Sequence, residues 1–153
     1  MTVRDINVFA PHAGAHSSLV ALNVLEHIED HVGALRSVAR LVRPGGRIVL
    51  IVPAFPFAMS PVDIATGHVR RYTRKSMREA LTDAGLVVEQ LRYVNALGLI
   101  GYYLATSVFR LTPKEGTMVK LYDRFVLPVT RAAERVVRPP FGQSVFVVAC
   151  VPE

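Results

Sequence analysis

ALNVLEHIEDHVGALRSVARLVRPGGRIVLIVP, Ala21 to Pro53, is the stretch whose reading decides the fold. Its first residues continue the apolar run Leu19 to Leu22, which reads as the end of a parallel strand, apolar on both faces because helices would cover both sides of the sheet. Asn23 marks the carboxyl end of that strand. Asp30 suits an N-cap, since its side-chain oxygen can accept from an orphan amide of the first helical turn. After it Val32, Leu35, Ala39 and Val42 recur at spacings of three and four, predicting one apolar stripe on a helix. Pro44, Gly45 and Gly46 predict its stop. Arg47 to Val52 (RIVLIV) then reads as a second buried strand, ended by Pro53 and a loop holding Pro56 and Pro61. Strand, helix and strand in succession make half of a doubly wound α/β domain.

Outward from this unit the pattern continues. Thr73 predicts an N-cap for a helix through Ala84 with Met77, Ala80, Leu81 and Ala84 inward, and Gly85 takes the C′ position where a left-handed residue ends a helix. Leu86 to Tyr93 alternates as a strand does. Asn95 to Leu111 (NALGLIGYYLATSVFRL) is almost uncharged, and reads as a lid over a hydrophobic pocket, as core packing, or as a dimer interface. Met118 to Val136 carries Met118, Leu121, Phe125, Val129 and Ala132 on one stripe with basic residues opposite, and Pro128 predicts a kink there because it removes a helix hydrogen bond. Ser144 to Val151 (SVFVVACV) reads as a final buried strand. With no internal repeat or low-complexity linker, residues 1–153 read as a single domain.

Composition limits the function classes. A hydrophobic content of 51% is ample for a core. The single cysteine, Cys150, cannot form an internal disulfide, and the first residues lack the basic-then-apolar pattern of a secretory signal; both favour the cytoplasm. The longest nearly uncharged run, Val94 to Phe109, is shorter than the roughly 20 residues of a spanning helix and contains Asn95, Gly98 and Gly101, so no transmembrane segment is read. A net charge of +6 attracts phosphates, anionic lipid headgroups or nucleic acid without choosing among them. The arginines are densest in Arg70 to Arg78 and Arg124 to Arg138, without aromatic interleaving or a recognisable nucleic-acid module, so no nucleic-acid partner is expected. The basic helix reads either as an ordinary solvated face or as a peripheral contact with an anionic membrane.

NVLEHIED, then RPGG before a strand, then GHVRRYT leading into a helix that ends in AGL, together resemble the C-terminal half of a class I S-adenosylmethionine-dependent methyltransferase. The resemblance runs from Val3 to Pro152 and keeps its order. It implies a partial Rossmann-like sheet with flanking helices, its strands matching the fourth to the seventh of the family, and S-adenosylmethionine bound at the carboxyl ends of the strands. Methyl transfer to a small, hydrophobic or anionic acceptor is the implied activity. The family's G-x-G-x-G loop, and the acidic residue that holds the ribose, have no counterpart upstream. The expectation is therefore a truncated cofactor half, inactive as this chain alone. Two alternatives stand beside it: a noncatalytic self-association module, and a subunit completed by another chain carrying the glycine loop. Loss of the first strand would leave Leu19 to Leu22 as an unpaired edge, which implies a homo-oligomer unless Val3 to Phe9 folds back beside it.

The same resemblance places candidate residues. Asp5 and Ile6 fall near the family's acidic residue and its neighbour against the adenine ring. Asn23, at a strand's carboxyl end, faces the methionine part of the cofactor, where its amide can both donate and accept; otherwise it satisfies loop backbone groups. Glu26 reads as a local cap or pair, and His27 either orders the loop or meets substrate. Gly67, His68, Arg70, Arg71 and Tyr72 lie in a loop beyond a strand end, where active-site loops collect. His68 suits removal of a proton from an attacking oxygen or nitrogen. Arg70 and Arg71 suit bidentate binding of a carboxylate or phosphate, with Tyr72 beside them. The competing reading pairs an arginine with Asp63 or Glu79 to order the loop. Of His12, His16, His27 and His31 the first two lie in a Gly/Ala loop and no cysteine joins them, so no metal site is assigned.

Overall fold

The structure is a computed structural model, and it describes residues 14, 16–103, 124, 128, 130, 132, 134 and 139–153. Four strands form one sheet: β1 (His16–Leu22), β2 (Val42–Pro53), β3 (Val87–Val94) and β4 (Ser144–Cys150), in the order β1-β2-β4-β3. β1 and β2 run parallel, with Leu19 opposite Ile48 and Leu22 opposite Ile51, joined across α1 (His31–Leu41). β4 runs antiparallel to both β2 and β3.

The α/β class expected from the sequence is the class observed, and alternation explains its core. Residues two apart on a strand share a face, so Ile48, Leu50 and Val52 of β2 lie with Val145, Val147 and Ala149 of β4 on one fully buried face. Against it α1 buries Ala34, Leu35, Val38 and Leu41, and α3 (Arg74–Asp83) buries Met77, Ala80 and Leu81. Helix ends follow their caps: Asp30 accepts from the Gly33 amide at 2.9 Å and Thr73 from the Ser76 amide at 3.1 Å.

Three sequence expectations are corrected. The stripe on α1 is rotated: Leu35 is central, but Val32 and Ala39 are only half-buried while Ala34, Val38 and Leu41 go deeper. Both sets obey helical spacing, and docking against the sheet chose between them. RPGG does not end α1. The helix ends at Leu41, and β2 carries the segment as a bulge, His16 pairing Val42 and Ser18 pairing Arg47. There Gly45 has φ +72, and a Cβ on Gly46 would come within 2.8 Å of the Ser17 carbonyl. Finally, β1 is not covered on both faces. Leu19 and Ala21 pack on the core, whereas Val20 and Leu22 are 62% and 53% exposed.

α4 (Ala96–Tyr103) starts at Asn95, whose side chain accepts from the Gly98 amide at 3.1 Å, and the Glu134 carboxylate accepts from the Asn95 and Ala96 amides. The expectations for Val3 to Phe9, for Asp5, Ile6 and His12, for the apolar stripe beyond residue 103 and for the kink at Pro128 rest on residues outside those described. Among the described residues no helix is long and apolar enough to cross a membrane.

Candidate functional site

Two loops meet beyond the carboxyl ends of β1 and β2. The first leaves β1 at Asn23, whose left-handed backbone (φ +52) turns the chain while its amide donates to Ile51 at 2.9 Å, and then winds into a 3₁₀ turn, Leu25–His27. A short polar residue tolerates this conformation better than a branched one. The second runs from β2 through the 3₁₀ turn Pro56–Ala58 and α2 (Pro61–Ala65) to the GHVRRY segment. That segment is stitched back to the strand end: Tyr72 donates its amide to Pro53 and Phe55 donates its own to Tyr72, forming an isolated parallel bridge between Ala54 and Tyr72. The Val69 amide donates to the Glu26 carbonyl at 2.9 Å, which ties the two loops together.

Asp63 is the hub of the second loop. Its carboxylate is buried and accepts from the amide and hydroxyl of Ser60 at 2.8 Å each, from Nε and Nη2 of Arg71 at 3.0 Å each, and from Nδ1 of His68 at 2.8 Å. Arg71 is only 7% exposed and spends a further donor on the Ala54 carbonyl. Its guanidinium is thus committed inside the protein. The substrate-clamp reading of Arg71 gives way to the pairing with Asp63 that the sequence offered as its rival.

The bond to Asp63 also sets the form of His68. A carboxylate only accepts, so Nδ1 carries the hydrogen and Nε2 of the neutral ring presents a lone pair. The same logic holds for His27, whose Nδ1 lies 3.1 Å from the Gly67 carbonyl. The two rings meet edge to face with centroids 4.7 Å apart. His68 Nε2 lies 3.9 Å from Oε1 of Glu26.

Glu26, read from the sequence as a local cap, is wholly buried, and among the described residues neither of its carboxylate oxygens has a hydrogen-bond partner. Burial pushes its carboxyl pKa above the usual range. Its own backbone amide, close but outside hydrogen-bond geometry, and the nearby His68, His27 and Arg71 only partly offset that rise. Glu26 is the residue that sequence reasoning underrated. The available signal was a carboxylate one turn past an apolar strand, between the apolar Leu25 and Ile28.

The other candidates separate. Tyr72 does not face the open side of the loop: it is 1% exposed, its hydroxyl donates to the Leu25 carbonyl at 3.3 Å and lies 3.2 Å from His31 Nδ1, and burial raises its pKa far above the ordinary value. Arg70 donates to the Glu29 carbonyl at 2.6 Å and lines a groove of about 360 Å³ with His31, Val32, Ser76, Glu79 and Asp83. Two carboxylates in that groove weaken its appeal to an anion. Asn23 is exposed at the strand end. The four histidines weighed from the sequence do not assemble as a set, since His31 packs on Tyr72 while His27 turns to His68 and Glu26.

A protein-family model described as "Methyltransferase domain" matches residues 4–91, more than half of the chain. No curated protein matches. Among solved structures, a chain from the Haloferax volcanii complex of the Trm112 methyltransferase activator aligns with 93% of this chain at a TM-score of 0.56 and 18% identity. A SAM-dependent methyltransferase from Archaeoglobus fulgidus aligns with 97% at 0.54 and 11% identity, and an S-adenosylmethionine-dependent methyltransferase from Mesorhizobium loti with 90% at 0.52 and 16% identity. At such identities the likeness is one of fold. The chain spans 56%, 66% and 63% of those three chains.

Proposed function

We propose, from the premise that this chain belongs to the methyltransferase domain family, that it serves methyl transfer from S-adenosylmethionine and forms the acceptor side of the site. The observation that carries this reading is the Asp63-His68 pair, which fixes an imidazole with a lone pair on Nε2 at the mouth of the sheet. In methyl transfer the sulfonium is already activated, so alignment of the nucleophile and exclusion of water are the main demands on the protein. His68 Nε2 receives the hydrogen of an acceptor hydroxyl or amine and so points that atom's lone pair outward. Arg70, on the same loop, offers an acceptor's anionic group a guanidinium, an attraction reduced by Glu79 and Asp83 in its groove. The acceptor class is therefore a small molecule with an O–H or N–H nucleophile.

The described residues do not by themselves fit the methyl donor. Asn23 offers one amide at an exposed strand end, with no cradle of backbone donors around it, and Asp5 and Ile6 lie outside the described residues. We infer weak donor binding by the described residues alone, with a partner surface as one source of the donor's remaining contacts. One candidate is a second copy of the chain, because β1 has a single strand neighbour among the described residues and exposes Val20 and Leu22.

With the donor site completed, release of S-adenosylhomocysteine from S-adenosylmethionine, measured with a panel of small hydroxylated and amino acceptors, tests the reading. The expected result for an accepted substrate is a turnover lowered about 100-fold or more in His68→Ala, the usual scale for a lost proton acceptor. In Arg70→Ala the KM should rise with kcat little changed. Equal rates in wild type and both variants would return the loop to a structural role. A low-micromolar dissociation constant for S-adenosylmethionine on the isolated monomer, by calorimetry, would overturn the inference of weak donor binding.

A further inference from the structure

Among the described residues the Glu26 carboxylate has no hydrogen-bonding counterpart. A carboxylate taken wholly out of water is costly unless it is paired or coordinates a metal. Neither oxygen of Glu26 has a hydrogen-bond partner among the described residues. The nearest strong cation, Arg71, is already committed to Asp63 and Ala54. What Glu26 does have nearby is two imidazoles. Glu26, His27 and His68 each bring one ligand-type atom to within 4.8 Å of the others.

The hydrogen bonds around those imidazoles are the arrangement a metal requires. A metal-bound histidine presents one ring nitrogen and donates the other N–H to a carboxylate or carbonyl, which fixes the tautomer and raises ligand basicity. His68 gives its Nδ1 hydrogen to Asp63 and His27 gives its own to the Gly67 carbonyl. Asp63 is in turn held by Ser60 and Arg71, so the supporting layer is itself ordered.

We propose that Glu26, His27 and His68 form a three-ligand site for a divalent transition-metal cation of the zinc class. Two imidazoles and one carboxylate suit zinc, cobalt or ferrous iron better than magnesium or calcium, which favour oxygen ligands. Three protein ligands leave a coordination position for a water or an acceptor oxygen, as in catalytic rather than structural zinc sites. Ligand bonds of about 2 Å require the three atoms to close by roughly 1 Å. Exposed His27, on a 3₁₀ turn, is the group placed to move. A cation here would occupy the Nε2 lone pair that the methyl-transfer reading gives to the acceptor. Metal binding by the chain needs neither donor nor acceptor, so the two readings fail separately.

The test uses the tag-free full chain and Zn²⁺ alone, in competition with a chromophoric chelator, with Co²⁺ as the spectroscopic probe. One equivalent of Zn²⁺ should bind per chain, and Co²⁺ should give visible ligand-field bands. Glu26→Gln and His68→Gln should weaken Zn²⁺ at least ~100-fold, since even loss of a supporting partner costs 10–100-fold. Both positions are buried or half-buried, so His27→Gln, exposed and tolerant, is the deciding variant. It should lose at least ~10-fold in affinity with an unchanged melting transition for the metal-free chain. His31→Gln should bind as wild type. Absence of stoichiometric binding, or binding that His27→Gln and Glu26→Gln leave unchanged, would overturn the site.

Discussion

At the scale of single residues, the most consequential group is Asp63. Its carboxylate holds Arg71, His68 and the start of α2 at once, in a setting with little water. Removing one partner of a buried pair leaves the other charge uncompensated, so Asp63→Ala should lower the unfolding free energy in urea by about 3–5 kcal/mol. A loss below about 1 kcal/mol would mark the pair as surface-like. His31 gives a pH signature of opposite origin. Burial first, and the Arg70 charge second, hold its pKa below the ordinary 6.5, while Asp30 partly opposes them. The folded chain therefore binds fewer protons than the unfolded chain between the two pKa values, and stability falls as pH drops below about 6.5. In His31→Asn that component should vanish, so the stability of wild type relative to the variant, read from melting temperature, should fall as pH drops below about 6.5 and stay constant above it. Parallel curves would contradict the assignment.

At the scale of elements, α3 is where local chemistry is most complete. Thr73 and Ser76 exchange hydrogen bonds across the first turn, and Gly85 follows the C-cap with φ +78. Thr73→Ala should cost about 1 kcal/mol by chemical denaturation, with Thr73→Asn retaining most of it. No loss in Thr73→Ala would mean that tertiary contacts alone fix the start of α3. α1 shows the other side of the same physics. Asp30 correctly announced its start, because a cap acts within three residues, whereas the face it buries was misread by a part-turn. Two overlapping stripes share Leu35, and only the shape of the opposing sheet selects one. RPGG was likewise legible as a break but not as a bulge, since a bulge is defined by the partner strand.

At the scale of the whole molecule, β1 carries the clearest expectation about assembly. It has one strand neighbour among the described residues, and Val20 and Leu22 present apolar side chains to solvent. Unprotected edges pair with other chains, so light scattering should report a dimer or larger species at micromolar concentration, and Val20→Lys should shift it toward monomer. A monomeric wild type would refute this. The sequence by itself determined the α/β class, the positions of the strands, the caps at Asp30 and Thr73, and the membership of His68 and Arg71 in one loop, because each of these depends on period or on neighbours a few residues away. Only the tertiary structure decided that Arg71 turns inward to Asp63, that Tyr72 is buried under His31, and that Glu26 and His27 meet His68 across some 40 positions of sequence. Those contacts are made by two loops brought together at the ends of neighbouring parallel strands, and their distance in the chain leaves no local pattern from which to read them.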